Sequence, residues 1–335
     1  CVDFLVDERS PNPYFPTVAN VIYFNFKGVT NDSNVDKAAF MKSGNSFSIL
    51  SGMYFALNQI GKNYDIIFAN HCLTAWPVNY AKCAQSEKFY YIQAYEPEYY
   101  EQVKGIKNRI LRKLSIASYK FPLNQIANAP IYINFKEITA KKWIPPGLDL
   151  TTFVEKVRLT ESESQARDKC IIGCIGRTEP EKGTKYVLEA FEHLYKSNAY
   201  YQLHVAFGNL PRGYSHPGVC TIEIENDIKL AEYYRSLDIL VAAGTVQHGA
   251  VHYPVLESMA SGVPVITTGY LPADDTNAWI VPSHNAEAII DSVKKIQAST
   301  YKTVNEKTLK AVNDVQSFRW EIVATQFLEI FRNGE

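Results

Sequence analysis

The stretch Gly176-Arg177-Thr178-Glu179-Pro180-Glu181-Lys182-Gly183 follows a short apolar run, Cys170-Ile171-Ile172-Gly173-Cys174-Ile175, and precedes an amphipathic segment. The order reads as a buried strand, a glycine-bounded turn and a helix. The turn carries one Arg and one Lys. Set at the carboxyl end of a strand, two cations and backbone N–H groups suit a diphosphate. On these eight residues alone, an ordinary β–α loop with two solvated charges fits equally well.

Working outward, the second half alternates short apolar runs with helical patterns. Strands are expected at 170–175, 201–207, 219–224, 239–243, 263–267 and 278–281. Between them, Val187, Leu188, Phe191, Leu194 and Tyr195 share one helical face, and Leu230, Ala231, Tyr234 and Leu237 another. This alternation predicts a parallel, doubly wound α/β sheet. The first half is less regular, with strands expected at 2–6, 20–25, 64–69, 89–93 and 131–134 and helices at 46–60, 74–85 and 97–118. Ile144-Pro145-Pro146-Gly147-Leu148-Asp149 is the expected joint, because Pro-Pro-Gly ends a strand and cannot continue a helix. Domains are therefore expected at 1–147 and 148–316, with a closing helix at 317–335.

The 335 residues have the composition of a globular protein of about two domains. No apolar run reaches the roughly 18 residues of a membrane span. The cysteines, Cys1, Cys72, Cys83, Cys170, Cys174 and Cys220, show no metal-ligand spacing and read as reduced thiols of a cytoplasmic protein. Overall neutrality argues against nucleic acid as a partner. The halves differ, however. Residues 1–150 carry 16 basic and 12 acidic side chains, a net of +4, and the remainder carries −5. Much of the excess lies at 104–120, where Lys104, Lys107, Arg109, Arg112, Lys113 and Lys120 alternate with Ile106, Ile110, Leu111, Leu114 and Ile116. Such a segment suits an anionic membrane surface or acceptor, or forms a plain solvated face.

Further motifs follow in order. Leu230-Ala231-Glu232-Tyr233-Tyr234-Arg235-Ser236-Leu237-Asp238 precedes Pro254-Val255-Leu256-Glu257-Ser258-Met259-Ala260-Ser261-Gly262-Val263-Pro264-Val265-Ile266, and Ser317-Phe318-Arg319-Trp320-Glu321 opens the last helix. Together with the joint and the Gly176–Gly183 turn, residues 144–335 resemble the donor domain of a GT-B glycosyltransferase of the retaining family 4 type, the glycosyl transferases group 1. The resemblance implies two Rossmann-like domains facing across a cleft, and a closing helix that crosses back to the first domain. Transfer of a hexose or deoxyhexose from a nucleotide-diphosphate sugar to a glycan or lipid-linked acceptor is implied too, with retention and with no metal or other cofactor.

By the same resemblance Arg177 and Lys182 stabilise the leaving diphosphate beside Gly176. Glu257 holds the ribose hydroxyls, a task suited to an acceptor-only carboxylate. Gln247-His248-Gly249-Ala250-Val251-His252-Tyr253 departs from the family pattern, with Gly249 where a Glu is usual. Either the donor sugar differs, or contacts to the sugar fall to His248 and the backbone N–H groups among Gly249, Ala250, Val251 and Tyr253, or the site is degenerate. His248 and His252, four apart with a Gly between them and no third ligand, argue against a metal.

In the first half, Gln93-Ala94-Tyr95-Glu96-Pro97 is similar to a segment of polysaccharide rhamnosyltransferases, which makes Gln93 and Glu96 catalytic candidates. Asp65-Ile66-Ile67-Phe68-Ala69-Asn70-His71 resembles a family strand and puts His71 on the acceptor side. The family opens with a further strand and glycine-rich loop. The chain is therefore expected to be a fragment lacking about one β–α unit, or to have a remodelled first domain. A peripheral place on the inner membrane face is the matching expectation for location. Alternatives are a non-catalytic GT-B subunit that binds nucleotide or glycan, and a GT-B enzyme of another chemistry such as a nucleotide-sugar epimerase.

Overall fold

The computed structural model describes residues 2–10, 17–30, 46–102, 105–157, 162 and 168–333. The chain divides into two compact units, Cys1–Trp143 and Ile144–Glu335.

In the first unit, β1 (Asp3–Asp7) pairs in parallel with β2 (Asn20–Asn25), which turns back into β3 (Gly28–Thr30). The antiparallel return departs from the all-parallel expectation. It follows from the two-residue link Phe26-Lys27, where the Asn25 side chain accepts the Lys27 N–H at 2.9 Å. A helix, α1 (Ser46–Ile60), precedes a second, all-parallel sheet in the order β4 (Ile66–Ala69), β5 (Glu87–Ile92), β6 (Asn124–Ala127) and β7 (Lys142–Trp143). Helix α2 (Ala75–Tyr80) follows β4.

Two further expectations fail in this unit. Residues 131–134 are not a strand: α5 (Pro130–Ile133) is a short helix whose first position takes Pro130, a residue with no N–H to lose there. The strand is β6, whose Asn and Gln hid it from an apolar search. The helix expected at 97–118 is two, α3 (Glu96–Gln102) and α4 (Ile106–Ser118), and Gly105 at φ 144° precedes the second. Lys104 lies outside the described residues.

The second unit carries strands β8 (Cys170–Ile175), β9 (Tyr201–Ala206), β10 (Val219–Ile222), β11 (Ile239–Ala242), β12 (Val265–Thr267) and β13 (Trp279–Ile280). They run parallel in the order β10-β9-β8-β11-β12-β13. This is the doubly wound order, and its switch point lies between β8 and β11. The helices are α6 (Thr184–Ser197), α7 (Asp227–Ser236), α8 (Tyr253–Ala260), α9 (Ala286–Ala298), α10 (Tyr301–Asp314) and α11 (Trp320–Asn333). As the spacing predicts, Val187, Leu188, Phe191 and Leu194 are buried in one core with Leu203, Val205, Ile239, Val241, Ile266 and Val293. Each such side chain stabilises the fold by about 1.5–3 kcal/mol. On α7, Leu230, Ala231 and Tyr234 are buried, and Leu237 just beyond it. Asn226 and Asn285 cap α7 and α9 by accepting the N–H groups of Lys229 and Ala288.

Leu148 of the joint donates its N–H to the Phe318 carbonyl and bridges Arg319, so the joint and the start of α11 belong to the second unit. No described helix is long and apolar enough to cross a membrane.

Candidate active site

The switch point of the second sheet gathers the residues that the sequence singles out there. Strand β8 leads into Gly176 and Arg177. A short 3-10 turn, Pro180–Lys182, follows, and Gly183 adopts φ 72° before α6 begins. An added Cβ at Gly183 would lie 1.7 Å from the Ala243 carbonyl oxygen, so only glycine lets this turn lie against the end of β11. The two loops are also bonded: Thr245 donates its N–H to the Glu181 carbonyl at 2.8 Å.

Arg177 is exposed and Lys182 half-buried. Burial, then the Arg177 charge, lowers the Lys182 ammonium from its ordinary pKa. Two cations that repel each other in a partly desolvated turn favour a multiply charged anion.

The loop after β11 is held from below. Tyr270 donates its hydroxyl to the Val246 carbonyl at 2.7 Å, and Thr268 to the Gly244 carbonyl at 2.6 Å. Gly249 sits at φ 89° and donates its N–H to the Gly269 carbonyl at 2.7 Å. A glutamate, usual in the resembling family, would be strained at that backbone angle. The Ala250 N–H donates to the Gln247 carbonyl, and the Ala250 carbonyl accepts from Leu271. The amides of Gly249 and Ala250 are therefore spent on the loop after β12 and on the β11 loop itself. Val251 bridges Leu271. His248 is exposed, with Nε2 3.2 Å from the Gly244 carbonyl, which requires the Nε2–H tautomer. Tyr253, the first residue of α8, donates its hydroxyl to the Gly147 carbonyl at 3.3 Å.

Glu257 lies one turn into α8 and accepts the Tyr234 hydroxyl at 2.7 Å. Burial pushes its carboxyl up to about 7; the Tyr234 bond opposes this and Asp227 adds to it. The signal for Glu257 was in the sequence; its Tyr234 partner was not. His252 is a further residue of this site that the motif reading left unassigned. Its ring stacks on Tyr270 at 4.7 Å, and its Nδ1 is buried with no hydrogen-bond partner. Burial, then Lys182 and Arg177, holds it neutral, with a pKa of about 3.

In the first unit, His71 follows β4 and Gln93 follows β5. Gln93 is exposed. Glu96 is not: it is 6% exposed, and its oxygens accept the Cys72 N–H at 3.1 Å and the Tyr119 hydroxyl. Burial raises its pKa. The fold thus makes Glu96 an anchor between two strand ends. His71, Cys72 and Glu96 bring donor atoms within 4.8 Å of one another, a grouping invisible in the cysteine spacing. These donors are already engaged. His71 Nδ1 accepts the Leu73 N–H at 3.1 Å, and burial pushes the Cys72 thiol up to about 12. A metal would have to displace those bonds and deprotonate a buried thiol.

Residues 169–299 match the glycosyl transferases group 1 family. Among curated proteins no sequence match is found. The structure is similar to a sucrose-phosphate synthase from Thermosynechococcus elongatus (TM-score 0.74, 18% identity, 99% of this chain and 88% of that one). It is also similar to Anabaena HepE, solved in complex with UDP-glucose (TM-score 0.68, 15% identity, 99% and 100%). A glycosyltransferase from Rickettsia africae is a third (TM-score 0.64, 17% identity, 99% and 98%). At these identities the likeness shows the fold, which is GT-B.

Proposed function

We propose that this protein is a glycosyltransferase that takes a hexose or deoxyhexose from a nucleotide-diphosphate sugar. The observation that carries the reading is the pairing of Arg177 with Lys182 on a turn locked against the β11 loop at the sheet's switch point. Negative charge develops on the departing diphosphate as the glycosidic bond breaks. The two cations, with the first turn of α8 nearby in sequence to the β11 loop, stabilise that charge. Glu257 takes the ribose hydroxyls. The acceptor is a glycan or a lipid-linked glycan of surface polysaccharide synthesis. No Asp or Glu is placed by motif as a covalent nucleophile, so retention proceeds on one face, with the leaving phosphate helping to deprotonate the acceptor. His71 and Gln93 serve the acceptor side, and Glu96 positions them.

The test is a panel of nucleotide sugars screened for thermal stabilisation and then for transfer. A specific donor at 100 times its dissociation constant stabilises the fold by about 2.7 kcal/mol. Stabilisation without transfer to any glycan would favour the non-catalytic reading, which Gly249 supports by removing a carboxylate from the sugar loop. Transfer is expected to survive EDTA, because Arg177 and Lys182 supply the positive charge. Loss of activity in EDTA that magnesium or manganese restores would refute this.

The carboxyl of Glu257 makes a second measurement possible. Its pKa is raised from 4.5 to about 7 in the fold. The protonated form is therefore the better buried one. Its stabilisation is fully present below pH 4.5 and is lost as pH rises through 7, a change on the order of 3 kcal/mol. Glu257→Gln should remove that component from urea-unfolding curves measured between pH 5 and 8. Identical slopes in both proteins would show that Glu257 ionises normally.

Helix α4 carries the proposed membrane contact. Ile106 is 77% and Ile110 53% exposed, and Lys107, Arg109 and Lys113 are exposed beside them. Arg112 is half-buried and pairs with Glu101 at 3.4 Å, so it leaves this surface. Each cation near an anionic bilayer adds about 1 kcal/mol. Co-sedimentation with phosphatidylserine vesicles at low salt is expected. It should fall when Lys107, Arg109 and Lys113 are neutralised; binding that persists would leave a plain solvated helix.

A further inference from the structure

Strand β9 ends at Ala206, and the next two residues, Phe207 at φ 62° and Gly208 at φ 60°, are both left-handed. Glycine accepts that conformation freely. A bulky side chain pays for it. The backbone at this point is fixed from both sides: Gly176 donates its N–H to the Ala206 carbonyl at 2.9 Å, and Phe207 donates to the Ile222 carbonyl at 3.0 Å. The strand ladder therefore imposes the conformation. Burial gives back only part of this cost, because Phe207 is 43% exposed. An aromatic ring held in a strained conformation and left in solvent points to a ligand that covers it.

The position says which ligand. Ile175 pairs with Ala206, so Phe207 stands beside Gly176, the residue before Arg177, across one strand spacing, about 4.8 Å. Asn209 ties the two turns together by donating its side-chain N–H to the Gly176 carbonyl at 3.2 Å. On the other side of β8 lies the β11 loop, against which the Lys182 turn is packed. A nucleotide lying across the strand ends, with its diphosphate between β8 and β11, would extend toward β9. We propose that the Phe207 ring is the stacking platform for the nucleobase of the donor nucleotide. The assignment rests on the reading that Arg177 and Lys182 hold a diphosphate. Every base presents a flat aromatic face, so the platform serves purine and pyrimidine nucleotides alike, and its contribution is to the base and not to the phosphates.

The test is calorimetric titration with UDP, GDP, ADP and dTDP, and with inorganic pyrophosphate, of the wild type and of Phe207→Gly, Phe207→Trp and Arg177→Ala. Glycine accepts the left-handed backbone, so Phe207→Gly keeps the fold, and its unfolding midpoint serves as the check. For the nucleotide that binds, Phe207→Gly should lose roughly 5- to 100-fold in affinity, the scale of one base–aromatic stack. Its pyrophosphate affinity should stay within about twofold of wild type. Phe207→Trp should retain nucleotide binding, and Arg177→Ala should weaken both nucleotide and pyrophosphate. If Phe207→Gly binds nucleotide as wild type does while Arg177→Ala weakens it, the platform is refuted and the diphosphate site stands. Equal loss of pyrophosphate and nucleotide in Phe207→Gly also refutes the platform, since the residue then shapes the turn. If Arg177→Ala changes neither ligand, the diphosphate reading fails and the platform fails with it.

Discussion

Replacing Arg177 by Ala is expected to weaken binding of a nucleoside diphosphate by about 1.5–3 kcal/mol, and Lys182→Ala by a similar amount, the scale of a charge-assisted hydrogen bond. The reason is local. Lys182 is half-buried, and its ammonium is lowered first by burial and then by Arg177. In the free protein the two like charges oppose each other. A diphosphate offsets both the burial cost and the repulsion, because each cation gains an opposite charge in a partly desolvated turn. Arg offers a planar fork to two oxygens, and Lys a point charge. Arg177→Lys should therefore recover only part of the loss. A second readout separates this from simple misfolding: removing Arg177 should raise the Lys182 pKa, by removing a repulsion. Unchanged nucleotide affinity in both Ala variants would end the donor-site reading.

Gly183→Ala should cost roughly 3–5 kcal/mol of folding stability, among the larger single-residue effects. Gly213 supplies the control. Both glycines are left-handed, at φ 72° and 78°. A Cβ at Gly213 meets nothing within 4 Å, whereas one at Gly183 would lie 1.7 Å from the Ala243 carbonyl oxygen. Gly213→Ala pays only the left-handed penalty, about 1–2 kcal/mol. Gly183→Ala must in addition push the turn off the end of β11 and stretch the Thr245 to Glu181 bond. Denaturant titration measures both variants, with similar m-values expected because the surface exposed on unfolding is unchanged. If the two variants differ by less than about 1 kcal/mol, the turn is not locked as described. Any displacement also moves Lys182, so diphosphate affinity should fall with stability in Gly183→Ala and not in Gly213→Ala.

The second unit was largely written in local sequence. Its strands are short apolar runs, and its helices carry one apolar stripe. Those patterns give the same answer whether read residue by residue or in the folded sheet, as β8, α6 and α7 show. The places of Arg177, Lys182 and Glu257 on the fold follow from the sequence, because motif and element boundary coincide: a strand end, a glycine turn and the first turns of a helix. The first unit was less legible. Ile131, Tyr132 and Ile133 are residue types that favour a strand, yet Pro130 starts a helix there. Asn124–Ala127 opens with two polar residues, yet it is a strand and pairs with β5. Pairing partners decide a strand of mixed composition, and they are distant in the chain.

What only the tertiary structure decided is which atoms are already spent. Glu96 is a motif carboxylate in the sequence; the fold closes Cys72 and Tyr119 over its oxygens. Gly249 and Ala250 sit in the loop after β11; their N–H groups are consumed by Gly269 and Gln247. Glu257 gains Tyr234 as a partner 23 residues away, while burial pushes its pKa up to about 7 against that bond. The sequence determined residue types, their order and the periodicity that builds a doubly wound sheet. Burial, hydrogen-bond partners and backbone strain, as at Phe207, arise between segments far apart in the chain, where no local pattern records them.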